Sequence, residues 1–263
     1  MCRSDRLGAV FCIVLSLLTS ACVTEQTAGR VQPQEQPEEA AALNVQLGVG
    51  YLRQGDLQSA QAKLEKAVEL DSDNVPAQRF LGLVYERLGD SRGAEKHYRR
   101  AVALAPGDPD ALNSLGIYLC RDDDTRTEAL KTFDRAIAVP QTRYFSNKAM
   151  LNTNAGVCAK STDLELAENY LRTALAFDSR FPDALLQLGD VAFQRENYLQ
   201  ARAFLQRYTT VAEVSPAVLW LGFQVETAMG DVKAAEEFAR TLRDDFPAAV
   251  ETRLLLERER DAG

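Results

Sequence analysis

Five cysteines and one histidine are the residues of this 263-residue chain with the most chemistry to offer. His97 stands alone, which rules out a multi-histidine metal site and any mechanism needing two imidazoles. It lies beside Tyr98 in a helical pattern and reads as a surface residue. No serine or cysteine at a strained turn partners it, and a GxSxG elbow is absent. No two cysteines form a CxxC pair, so a zinc knuckle is not expected. Asp122-Asp123-Asp124 and Asp71-Ser72-Asp73-Asn74 lack the alternating ligands and central glycine of a calcium loop. Both read as helix caps and turns. The residues thus predict no catalytic group, metal set, cofactor or small-molecule substrate, and a chain that is not an enzyme. Thirty Lys+Arg against 38 Asp+Glu leave a net charge of -8, which argues against a nucleic-acid partner. What remains is thiol chemistry, and the meaning of each thiol depends on the element that carries it.

Cys22 closes an N-terminal address. Arg3 and Arg6 precede the apolar run Leu7–Leu18, and Thr19-Ser20-Ala21 leads into the cysteine. That is the charged, apolar and small-residue order of a secretory signal, and the run is too short to span a bilayer comfortably. The segment resembles a bacterial lipobox, with Thr19 where the motif usually has an aliphatic residue and Leu18 one place further back. The resemblance implies cleavage after residue 21 and acylation of Cys22. Val23 follows rather than aspartate, which by likeness to lipoprotein sorting signals favours the outer membrane, with the chain facing the periplasm. Each buried acyl CH₂ contributes roughly 0.8 kcal/mol, so several chains anchor firmly. Residues 22–40, with Gln32–Glu39 almost devoid of apolar side chains, read as a flexible tether.

Beyond the tether the elements come from a repeat. Leu47-Gly48-x-x-Tyr51 returns 34 residues later as Leu81-Gly82-x-x-Tyr85, and again as Leu115-Gly116-x-x-Leu119. Ala155-Gly156, Leu188-Gly189 and Leu221-Gly222 open three further copies. A small-large-small series follows each, such as Ala94, Tyr98 and Ala101. This resembles the tetratricopeptide repeat, a pair of antiparallel helices that buries its apolar face only by stacking on its neighbours. The expected fold is all-α: a right-handed superhelical solenoid of about six repeats over 41–247, with a C-terminal capping helix and tail over 248–263. Gly55-Asp56, Gly89-Asp90 and Gly230-Asp231 mark turns within repeats. Residues 137–148 form a longer connection than the others.

Cys120 ends the first helix of copy three, and Cys158 holds the corresponding part of copy four. First helices of adjacent repeats lie side by side, so the pair is read as a disulfide; the alternative is two buried thiols. The first helices also turn one face to the concave side. By the repeat's pattern that face holds Val45, Val49, Leu52 and Arg53, then Arg79, Leu83, Glu86 and Arg87, then Asn113, Ile117 and Arg121. Apolar residues rimmed by arginine suit an extended or helical peptide. The alternative for any one of them is burial against a neighbouring helix or the tether.

The lipobox, tether and six repeats in this order resemble the type IV pilus biogenesis and stability lipoproteins, the pilotins of the pilus secretin. Val45–Leu52, Ala111–Cys120 and Asn154–Cys158 followed by Ala167–Leu175 are the stretches most similar to that family. The resemblance implies binding of the secretin and other pilus assembly proteins, with support of secretin localisation, multimerisation or pilus stability. The competing reading is a lipid-anchored periplasmic adaptor for peptidoglycan enzymes or for outer-membrane protein assembly.

Overall fold

A computed structural model describes residues 37–140 and 147–262. The signal segment 1–21, Cys22, most of the tether and part of the 137–148 connection lie outside the described residues.

Thirteen α-helices form the described residues: α1 (Pro37–Gln54), α2 (Leu57–Leu70), α3 (Val75–Arg87), α4 (Ser91–Leu104), α5 (Pro109–Leu119), α6 (Arg126–Ala138), α7 (Lys148–Ala159), α8 (Leu164–Phe177), α9 (Pro182–Gln194), α10 (Tyr198–Thr209), α11 (Pro216–Met229), α12 (Val232–Asp245) and α13 (Val250–Ala262). They stack as six pairs and a single closing helix, each packing on its pair-mate and on the next repeat. The first helix begins at Pro37, so the last four residues assigned to the tether are helical instead. Pro37 fits a helix start, and Glu38 and Glu39 sit in the first turn, where carboxylates offset the positive end of the helix.

The repeat pattern explains the pairing. Ala60, Ala94, Ala129, Ala167 and Ala201 are fully or almost fully buried and let second helices approach first ones. Leu64, Tyr98, Phe133, Leu171 and Leu205 fill the space left. The approach is close: a Cβ on Gly82 would stand 2.7 Å from the Tyr98 ring. Turns follow the expected chemistry. Gly55, Gly89 and Gly230 hold φ near +80°, and the next aspartate in each case, Asp56, Asp90 or Asp231, caps the following helix. In copy five Glu196 takes the left-handed turn position, with φ of 58°. Asn74 caps α3, accepting from the Ala77 N–H at 3.0 Å. Asp122 caps the short 3₁₀ turn Asp123–Thr125, accepting from the Asp124 N–H at 3.0 Å.

The core is a string of overlapping clusters. Leu83 and Tyr85 belong to both the first and second, and Leu130 and Tyr170 to both the second and third. Copy six departs from the rule. One extra residue separates Leu221 from Gly230, compared with Leu81 to Gly89. This turns α12 so that Ala239 is fully buried and Phe238 is left half-buried. The closing helix α13 is tied back by the Arg243–Glu259 ion pair at 2.6 Å and by Arg258 over the Phe223 ring, 5.3 Å from its centroid.

Candidate partner-binding groove

The first helices α1, α3, α5 and α7 carry one residue per repeat at equivalent places along their concave side: Val49, Leu83, Ile117 and Val157. Ile117 is 40% exposed and Val157 43% exposed, and Val49 and Leu83 are half-buried. They form an apolar stripe along four repeats. At its third and fourth repeats a depression of about 270 Å³ is lined by Ile117, Cys120, Arg121, Phe133, Asn154 and Val157. The stripe ends at Asp190, the equivalent residue of copy five, which is ion-paired with Lys160. Lys160 also donates to the Gln187 Oε1 at 2.8 Å.

Cys120 and Cys158 meet in the floor of this groove. Their Cα atoms are 5.6 Å apart and their sulfurs are bonded, joining α7 to the C-terminal end of α5. Beside them Asn154 donates through Nδ2 to the Asn113 Oδ1 at 2.9 Å. The third and fourth repeats are thus joined by a covalent bond and a side-chain hydrogen bond at one place.

The rim is basic at one position per repeat. Arg53, Arg87 and Arg121 are all exposed. Arg87 donates through Nη1 to the Leu52 carbonyl at 3.3 Å, and Arg121 pairs with Glu86. Glu86 also accepts from the Tyr98 hydroxyl at 3.0 Å. Burial, with the Glu86 charge next in weight, raises the Tyr98 phenol well above its ordinary range. That phenol is a fixed donor holding Glu86 in place, not an acid.

Three residues assigned to the groove are not available to a partner. Val45 and Leu52 are buried in the first cluster, because α1 turns that side toward α2 and α3. Asn113 is buried by its bond to Asn154. Arg79 is half-buried with its guanidinium 4.4 Å from the Phe80 ring centroid. Val157 was missed. Carrying the register through Ala155-Gly156 into the degenerate fourth copy places it on the stripe.

His97 is not the surface residue its position suggested. It is half-buried, stacked on Tyr85 with ring centroids 5.2 Å apart and planes 4° from parallel. Its Nδ1 lies 2.7 Å from the Gln78 Oε1. Burial, with the nearby Lys96 charge, lowers its pKa. Among the described residues no group of three or more His, Cys, Asp or Glu could hold a metal ion. No helix among them is long and apolar enough to cross a membrane.

A family model of the tetratricopeptide repeat matches residues 45–109, 81–143 and 159–215. The chain belongs to the tetratricopeptide repeat family. Among curated proteins it is similar to the type IV pilus assembly protein PilF of Pseudomonas aeruginosa, 24% identical over 247 residues, 94% of this chain and 96% of that protein. Among solved structures this tetratricopeptide repeat protein resembles PilW, described as a widely conserved type IV pilus biogenesis factor. The TM-score is 0.74 at 28% identity, over 82% of this chain and 98% of that one. The structure of Pseudomonas aeruginosa PilF superposes with a TM-score of 0.70 at 22% identity, over 84% and 99% of the two chains. At that identity the second superposition speaks for the fold alone.

Proposed function

We propose that this protein is a type IV pilus biogenesis factor that acts by binding rather than catalysis. The observation that carries the reading is the likeness to PilF over 94% of this chain and 96% of that protein, end to end rather than over isolated repeats. In this reading it is a lipoprotein, acylated at Cys22 and held at the outer membrane with its repeats in the periplasm. Its partner is the pilus secretin, whose localisation and multimerisation it supports as a pilotin. The stripe Val49, Leu83, Ile117 and Val157, with Arg53, Arg87 and Arg121 on its rim, suits a partner segment combining apolar side chains with acidic ones.

Pull-down from solubilised membranes tests both halves. The intact protein should recover the secretin, and a double substitution Ile117→Glu/Val157→Glu should lose it while the fold persists. Recovery of cell-wall hydrolases or outer-membrane insertion components without the secretin sinks the pilotin role. Cys22→Ala should leave the outer-membrane fraction; if it stays there, the lipid anchor is wrong.

A further inference from the structure

The interior repeats show what the N-terminal face of each first helix is for. Ala77, Ala111, Leu151 and Ala184 stand at equivalent places and are fully or almost fully buried against the preceding repeat. So are Leu81, Leu115, Ala155 and Leu188, one turn further along. In α1 the same two places hold Leu43 and Leu47, which are 56% and 41% exposed. A terminal repeat normally carries polar residues on its outer face. Here two leucines stand where polar residues are expected.

Gly50 lies on the same face. The glycines at 48, 82 and 116 each press on a side chain of the following helix, but Gly50 has nothing within 4 Å of where its Cβ would be. Glycine inside a helix is costly, and no contact among the described residues requires this one. Glu39, Leu43, Leu47, Gly50 and Arg53 follow one another at spacings of four, four, three and three, one continuous stripe on the helix. No charged residue falls between Glu39 and Arg53.

The stripe is complementary to itself when reversed. Leu43 lies about 6 Å before Leu47 along the axis, and Gly50 about 4.5 Å after it. Glu39 and Arg53 lie further out on opposite sides. We infer that the N-terminal end of the solenoid is a homodimer surface, where α1 packs antiparallel on α1 of a second copy about a two-fold axis near Leu47. Leu43 of each copy then seats over Gly50 of the other, and Glu39 of each faces Arg53 of the other. Residue i meeting j while j meets i is the requirement of an isologous interface. The pairs Glu39/Arg53 and Leu43/Gly50 are both centred within one residue of Leu47, as a two-fold contact between identical helices requires. The surface lies at the end of the stack and shares only Arg53 with the rim of the groove, so Leu43, Leu47 and Gly50 carry the inference independently of the groove reading.

Cysteine cross-linking of the full chain in its own membranes tests it. Leu47→Cys places a thiol on the axis, so mild oxidation should convert most of the protein to a covalent species of twice the monomer mass. Leu199→Cys, on α10 and more exposed than Leu47, should remain monomeric. In the Leu47→Cys background, Arg53→Glu should cut the dimer yield several-fold, and adding Glu39→Arg should restore it. Three results overturn the inference. Leu47→Cys could stay monomeric while a soluble maleimide labels it, leaving the face free. It could resist both reagents, which would mean that residues before Pro37 cover it. It could cross-link to a protein of another mass. Failure of the charge swap to restore the yield overturns the antiparallel register.

Discussion

At the scale of single residues, His97 shows how a side chain with catalytic potential becomes structural. Its ring is held between Tyr85 and Gln78, and the lowered pKa means that the native state resists protonating it. The unfolded chain binds that proton near pH 6.5, the ordinary value, and the native state only at lower pH. The increment of stability is therefore present above pH 6.5 and is lost as pH falls through the native value. Urea unfolding of the wild type and His97→Phe at pH 7.5 and 5.0 checks this. The wild type should lose more stability than the variant on acidification, and equal losses would contradict it. Lys96, Glu65 and Asp90 also act on the ring, the first opposing protonation and the acids favouring it, so their titration belongs in the same comparison.

At the scale of helices, the tightness of each pair sets what it tolerates. Gly82→Ala drives a methyl to 2.7 Å from the Tyr98 ring, whereas Gly189→Ala meets its nearest neighbour at 3.4 Å. Overpacking costs about 1–3 kcal/mol, against about 1 kcal/mol gained from alanine's helix propensity. Gly82→Ala should lower the urea midpoint and Gly189→Ala should leave it level or raise it; the reverse order would refute the packing argument. The left-handed turn at Glu196 gives a second case. Glu196→Gly should stabilise by about 1 kcal/mol, and an unchanged midpoint would mean that the turn carries no strain. Sequence pattern was enough to place helices, turns and caps, because Leu-Gly, the small-large-small series and Gly-Asp are local signals. It placed the stripe through Leu83 and Ile117 for the same reason. Burial of Val45 and Leu52 was not legible, since it depends on how far α1 rotates toward two later helices. Nor was the bond from Asn154 to Asn113, between residues 41 positions apart. One recurrent tie uses arginines at equivalent late places in three second helices. Arg100, Arg135 and Arg207, late in α4, α6 and α10, reach back to Asp73, the Pro106 carbonyl and the Ser179 carbonyl of preceding turns.

At the scale of the whole chain, stability is a sum of repeats and their interfaces, and the Cys120–Cys158 bridge joins the third and fourth copies. Closing a loop across 38 positions is worth about 4 kcal/mol in the chain-entropy model. Replacing both cysteines by serine should lower stability by up to that amount and broaden the denaturant transition, as the halves uncouple. Circular dichroism and tryptophan fluorescence at Trp220, in copy six, would then follow different midpoints. Coincident midpoints in the double variant would show that the packing of α6 and α7 couples the halves without the bridge. Non-reducing peptide mapping that found Cys120 free would remove the premise.

The bridge also has a mechanical consequence. A stack held only by neighbour contacts behaves as a spring, yielding repeat by repeat when its ends are drawn apart. The covalent tie takes one coil out of that spring. The 38-position span from Cys120 to Cys158 represents about 130 Å of contour length that tension cannot extract while the bond stands. A load applied along the chain is carried across the groove floor by the bond itself, and the repeats on either side stretch first.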